Sequence, residues 1–176
     1  MTREELVRRI AQVSLLRGEF VLRSGRKSNY YLDKYRFETQ PDILAELGRL
    51  LAQRVSAAVD RIAGAELGAV PLAAATALAC AKPFVIVRNR KKEYGTSKQV
   101  EGILNSGETV TIVEDVLTTG GQVLEAAQSL KEAGAKIDKI LGVIDRQEGA
   151  AENIRGAGFE FETLFTSDEL LKSEQD

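Results

Sequence analysis

Apolar residues change their spacing from one segment of the chain to the next, and the changes outline alternating strands and helices. Thr2 stands three residues before Glu5, a capping-box spacing, and Leu6, Ile10 and Val13 then mark one face of an opening helix. Phe20–Leu22 reads as a short extended piece, Ser24-Gly25-Arg26 as a turn, and Ser28–Lys34 as an aromatic strand. Pro41 suits a first helical position, and Ile43, Leu44, Leu47, Leu50, Leu51 and Val55 recur at helical spacing after it. Further on, Val59–Gly64 predicts a strand, Pro71–Ala81 a helix, Pro83–Arg88 a strand and Thr109–Asp115 a buried strand. A Gly-rich turn leads into a helix from about Gln122 to Ala133, which Gly134 ends. Ile140–Asp145 then reads as a strand, Ala150–Ala157 as a helix and Phe159–Phe165 as a last strand. Apolar strands alternating with helices predict an α/β fold whose parallel sheet is covered on both faces. In such sheets ligands sit beyond the carboxyl ends of the strands, so chemistry is expected in the loops there.

Composition narrows the choice of chemistry. A chain of 176 residues suits a single domain over 1–176, and its ordinary apolar content excludes intrinsic disorder. With 24 basic and 26 acidic side chains, the net charge of −2 gives no bulk attraction to nucleic acid or an anionic membrane. There is no histidine, which removes every mechanism built on Ser-His, Cys-His or His-metal arrangements. Cys80, the one cysteine, lies in the alanine-rich run Ala69–Ala81 and reads as a small buried hydrophobe. That run is broken by Pro71 and Thr76 and falls short of the ~20 residues of a membrane span. Met1–Ile10 has no apolar signal core, so a soluble, cytoplasmic protein is expected.

The densest chemical signal is T-V-T-I-V-E-D-V-L-T-T-G-G-Q at 109–122. A buried strand delivers Glu114 and Asp115 into a turn of small residues and then a helix. Gly120 and Gly121 let successive N–H groups converge at a helix N-terminus, and Thr118 and Thr119 add hydroxyl donors, an arrangement suited to a phosphate monoester. The two acids would repel that phosphate on contact, so vicinal ribose hydroxyls beside it are the better partner. The plainer reading is a strand–turn–helix junction capped by Asp115. No lysine follows the glycines, so this is not a Walker-type loop.

Three other segments carry weaker signals alone. Arg88–Gly102 holds five basic residues and one acid between Arg88 and Lys98, the charge a diphosphate needs, with Gly95 and Gly102 available for a closing lid. It could equally be a solvated loop or an RNA-binding patch, although aromatic interleaving is missing. D-R-Q-E-G at Asp145–Gly149 puts Arg146 at a strand's carboxyl end, where it can grip a carboxylate or pair with Asp145 or Glu148. In F-V-L-R-S-G-R-K-S-N-Y-Y-L-D, Ser24-Gly25 is a turn and Tyr30-Tyr31 is strand packing.

Together, these segments resemble a known family. Residues 114 to 122 resemble the phosphoribosyl-diphosphate-binding motif of the type I phosphoribosyltransferases. The resemblance puts the 5′-phosphate and ribose on Glu114, Asp115, Val116, Leu117, Thr118, Thr119, Gly120, Gly121 and Gln122, with the two acids on the ribose hydroxyls. Arg88–Gly102 looks like the flexible catalytic loop of orotate phosphoribosyltransferases. That likeness makes Arg88, Lys92 and Tyr94 diphosphate contacts and Lys92 the catalytic lysine, with Glu114 and Asp115 sharing the catalytic role. Asn89 stands where the family usually has lysine, and Gln122 where it often has Thr or Ser. Arg146 matches the arginine that recognises the substrate carboxylate, with Thr118 near the same ligand. Phe20–Asp33 is similar to the family's hood segment over the base, which brings in Tyr31 and Arg23, the latter replacing a lysine. Gly64–Pro71 matches the loop after the first core strand.

The resemblance implies a type I phosphoribosyltransferase fold: a central, mostly parallel sheet flanked by helices, a small hood at about 1–35 and a core at about 41–165. It implies the substrates orotate and phosphoribosyl diphosphate, and a Mg²⁺ cofactor held by ligand diphosphate and ribose with no dedicated protein ligands. It also implies a homodimer whose catalytic loop serves the neighbouring subunit, and no nucleic-acid or membrane partner. The alternatives are a transferase for another purine or pyrimidine, and a non-catalytic regulator that senses phosphoribosyl diphosphate.

Overall fold

The structure is a computed structural model that describes residues 1–21, 25, 27–89 and 99–173. Helix α1 (Arg3–Ser14) opens on the expected capping box, in which Thr2 and Glu5 exchange bonds with each other's backbone. The chain passes without a loop into β1 (Leu15–Val21), which pairs antiparallel with β2 (Lys27–Leu32) as a two-stranded hairpin. Two further helices follow, α2 (Lys34–Glu38) and α3 (Pro41–Ala52). The main body is β3 (Arg61–Ala65), α4 (Ala69–Cys80), β4 (Phe84–Val87), β5 (Val100–Glu101), β6 (Thr109–Leu117), α5 (Gly121–Glu132), β7 (Lys136–Asp145), α6 (Ala150–Gly156), β8 (Glu160–Thr166) and α7 (Ser167–Lys172).

Six strands form the main sheet in the order β5-β4-β3-β6-β7-β8, all parallel except β5, which runs against β4. The expected α/β fold with a mostly parallel sheet is what the chain adopts. Two apolar cores explain it. On one face, α1, α3 and α4 bury Leu6, Ile10, Ile43, Leu47, Leu51 and Leu72 against Ile62, Val113 and Leu141. On the other, α5 and α6 bury Val123, Leu130 and Ile154 against Val85, Ile112 and Ile140. Full burial of each such side chain contributes roughly 1.5–3 kcal/mol. The alanine-rich α4 packs closely, as expected: a Cβ on Gly48 of α3 would fall 2.7 Å from the Ala75 backbone. Cys80 is half-buried against the first core, less enclosed than its neighbours suggested.

Several boundaries move. The strand expected over Ser28–Lys34 ends at Leu32, and Lys34 begins α2 instead. The strand expected over Thr109–Asp115 runs on to Leu117, so the acid pair lies inside β6, not in the turn after it. β7 starts at Lys136 because β6 offers a parallel partner there, with Thr109 opposite Lys136. Val55 falls beyond the end of α3. The short elements α2, β5 and α7 were not expected.

Strand order positions the site. From β3 the chain steps outward to β4, then returns to lay β6 on the other side of β3, so the connections diverge between β3 and β6. Ligands in open α/β sheets bind at such a divergence, beyond the carboxyl ends of the strands. The opposite end is closed by a forked ion pair, with Arg61 Nε 2.5 Å and Nη2 2.8 Å from the Glu108 carboxylate. Hydrogen bonds from Arg61 hold the Glu108 carboxyl down at about 2. Among the described residues, no helix is long and apolar enough to cross a membrane.

Candidate active site

The loops after β3, β6 and β7 meet at the carboxyl ends of the sheet with Asn89, which follows β4, and β6 supplies the central groups. Glu114 and Asp115 are both buried. The Asp115 carboxylate accepts the Val116 N–H at 2.5 Å through Oδ1 and meets the Lys34 ammonium at 2.7 Å through Oδ2. It is therefore not a helix cap, since α5 begins after Gly120. Glu114 Oε1 accepts the Asp115 N–H, while Oε2 is buried with no hydrogen-bond partner among the described residues. Burial, and then the charge of Asp115, hold the Glu114 carboxyl well above the usual carboxylate range. Burial lowers the affinity of Lys34 for its proton, but Asp115 outweighs it and the ammonium is held above its ordinary value.

Beside the acids lies a recess of about 160 Å³, lined by Glu114, Val116, Leu117 and the residues from Thr118 to Val123. Gly120 precedes α5 with φ +80°, a left-handed conformation that favours glycine, and no side chain caps the helix. The first turn of α5 thus faces the recess with its N–H groups and positive end, which suits an anion. Asn153 holds the loop in place by donating to the Thr119 carbonyl at 2.9 Å.

The two positions where the chain departs from the family pattern touch one another. Gln122 Nε2 donates to Asn89 Oδ1 at 3.3 Å. Asn89 in turn donates through Nδ2 to the Glu66 carbonyl at 3.1 Å and through its N–H to Glu66 Oε1 at 3.0 Å. This bridge links the loops after β3 and β4 to the start of α5. Arg88 stands at the root of the basic segment, where its N–H bonds the Gln99 carbonyl and its guanidinium lies 3.8 Å from Glu101. Lys92 and Tyr94 lie outside the described residues, as does Arg23.

Arg146 follows the last residue of β7 and is tied to β6 by a bond from its N–H to the Leu117 carbonyl. Its guanidinium reaches Glu148 at 3.1 Å, while its Nε is buried with no hydrogen-bond partner among the described residues. The ion-pair reading of the sequence and an unused donor beside the Thr118 loop thus coexist. Tyr31 lies apart from the sheet, in the hairpin, 43% exposed, with its ring 5.6 Å from that of Phe20.

Lys34, Glu38 and Gly68 also belong to this site, and the sequence reading missed them. Glu38 is 1% exposed, and its carboxyl lies with that of Asp115 over Gly68. A Cβ on Gly68 would overlap Asp115 Oδ2 and come 3.2 Å from Glu38 Oε1, so only glycine admits both acids. The available signal was the four-residue spacing of Lys34 and Glu38, which puts both on one face of a helical turn.

Comparison with known proteins gives a consistent outcome. A family model described as the phosphoribosyl transferase domain matches residues 35–164. The chain is 45% identical over 172 residues to an orotate phosphoribosyltransferase of Natronomonas pharaonis, covering 97% of this chain and 98% of that one. It is 46% identical over 175 residues to the Pyrococcus furiosus enzyme of the same name, covering 97% and 96%. Its fold matches the crystal structure of Mycobacterium tuberculosis orotate phosphoribosyltransferase in complex with 5-phospho-α-D-ribosyl 1-diphosphate, with a TM-score of 0.81, 30% identity and coverage of 96% and 98%.

Proposed function

The chain belongs to the orotate phosphoribosyltransferases of the phosphoribosyltransferase family, and from that premise we propose how its residues divide the work. The reaction joins N1 of orotate to C1 of 5-phospho-α-D-ribose 1-diphosphate, giving orotidine 5′-monophosphate and diphosphate. The observation that carries the assignment of roles is the junction of a buried acid pair, an anion recess at a helix start and Arg146 at one end of the sheet.

The 5′-phosphate occupies the recess, on the Thr118–Gln122 backbone and the positive end of α5. The ribose hydroxyls then meet Glu114 and Asp115, which also face the positive charge that develops on the sugar. Arg146 takes the orotate carboxylate with Thr118 nearby, and Tyr31 and Arg23 approach the base from the hood. Orotate with N1 deprotonated attacks C1, and the bond to diphosphate breaks with its electron pair leaving on diphosphate. No strong base is needed, in keeping with a chain that lacks histidine. Arg88, Lys92 and Tyr94 counter the charge on the leaving group.

The reading includes Mg²⁺. Because Lys34 already neutralises Asp115, the ion is assigned to diphosphate and ribose oxygens and water, not to a protein cage. When bound, it supplies positive charge to the departing diphosphate. The reading also includes a cytoplasmic homodimer in which Lys92 serves the neighbouring subunit.

Diphosphate release with Mg²⁺ and orotate, uracil, hypoxanthine or adenine tests the substrate. Turnover is expected with orotate. Turnover with a purine and none with orotate would replace the assignment, and tight RNA or DNA binding without turnover would establish a regulator instead.

A further inference from the structure

Glu38 has no assigned part in the chemistry, yet it is buried at the site's centre. Both of its carboxyl oxygens are buried and lack a hydrogen-bond partner among the described residues, and Oε1 shares with Asp115 Oδ2 the space over Gly68. Two ionised carboxylates cannot be buried in such proximity without heavy cost, and one shared proton removes the conflict. Lys34, one helical turn earlier, approaches the same Asp115 oxygen at 2.7 Å.

We infer that Lys34 and Glu38 are positioning residues that jointly hold Asp115 in the orientation that meets the ribose hydroxyls. Lys34 supplies the positive charge and Glu38, as a neutral acid, the hydrogen-bond donor. Neither touches the reacting atoms; each acts through Asp115. The inference rests on the assignment of Asp115 to the ribose.

The charged groups acting on Glu38 are Lys34 of α2 and Asp115 and Glu114 of β6. The other elements packed on α2, α1 and α3, bury apolar residues in the same core as Phe37. Burial, and then the charge of Asp115, push the Glu38 carboxyl up to about 9. Below that value Glu38 is neutral and donates to Asp115. Above it, Glu38 ionises and repels Asp115, and the grip on ribose is lost.

The test compares wild type, Glu38→Gln, Glu38→Ala and Lys34→Met, by steady-state kinetics and by calorimetric binding of phosphoribosyl diphosphate, from about pH 7 to about pH 10. In the wild type, KM and Kd for this substrate should rise as pH passes about 9. The Glu38→Gln amide donates at every pH, so its values should stay within about twofold of neutral wild type and lose the alkaline rise. Glu38→Ala and Lys34→Met should weaken binding about tenfold at neutral pH, with KM moving more than kcat. An unchanged alkaline rise in Glu38→Gln, or wild-type binding by Glu38→Ala, overturns the inference. Binding with these profiles but no orotate turnover would keep the inference and overturn the substrate assignment instead.

Discussion

At the scale of single residues, the site is built from groups placed where water cannot screen them. Asp115 and Glu38 are each 1% exposed, and Gly68 leaves room for both by having no side chain. This arrangement costs stability. The folded chain holds the Glu38 proton up to about 9, whereas an unfolded chain releases it in the ordinary carboxylate range. The stabilisation from that proton is complete below about pH 4.3 and is lost progressively as pH climbs toward the folded value. Glu38→Gln stays neutral throughout. Thermal melts should therefore show the variant gaining on wild type as pH rises, by roughly 10 °C at pH 8, with little difference at pH 4. An equal gap at both pH values would mean that Glu38 does not titrate in this way. The motif residues Glu114, Asp115, Thr118 and Arg146 were legible in the sequence because an acid pair closed one apolar run, with small residues after it, and an arginine followed another. Lys34 and Glu38 were not, because nothing in K-Y-R-F-E says which strand the helix will face.

At the scale of elements, what was legible depended on length. Apolar runs such as Thr109–Asp115 and the Ile43–Leu51 face announced β6 and α3. Helices of five or six residues, and a strand of two, carry too few positions for a period to show, which hid α2, α7 and β5. α7 did have a signal: Thr166 and Glu169 form a full capping box, directly after β8. The extension of β7 to Lys136 depends on pairing with β6, which local pattern does not encode. Contact between elements also gives the two family departures a meaning that they lack separately. Asn89 and Gln122 bond to each other across the loops that flank the anion recess, so they act as a unit. A double-mutant cycle with Asn89→Ala and Gln122→Ala, read by KM for phosphoribosyl diphosphate, should give a coupling of about 0.5–1 kcal/mol. Strictly additive effects would show that the two side chains act independently.

At the scale of the whole molecule, the near-neutral charge conceals a division. Arg88, which opens a segment with five basic residues in the sequence, stands with Asn89 beside a site whose centre is a group of buried acids. Strand order made this juxtaposition, by setting the loops of β4 and β6 on either side of β3. Alternation of elements predicted the parallel sheet and pointed to the end where the candidate site lies, but which strands would be neighbours was not readable from spacing. The proposed dimer makes a further demand on this architecture. Lys92→Ala and Asp115→Asn chains should each be nearly inactive alone. Mixing them should restore about a quarter of wild-type activity per dimer population, because one intact composite site forms in each mixed dimer. No recovery on mixing, with exchange of subunits verified, would place the lysine in its own subunit's site.

The two-residue strand β5 also bears on how the chain can vary. Val100 pairs with Val87 and Gln99 bonds Arg88, so the sheet itself clamps the two ends of the basic segment together. Joining the ends of a chain segment carries an entropy cost that rises only with the logarithm of its length, about 0.6 kcal/mol per doubling. With its ends already fixed by β4 and β5, the stretch between Asn89 and Gln99 is thermodynamically cheap to lengthen, shorten or rewrite. On the proposed division of roles, the segment assigned to the diphosphate can therefore vary across relatives while the residues assigned to the ribose stay untouched.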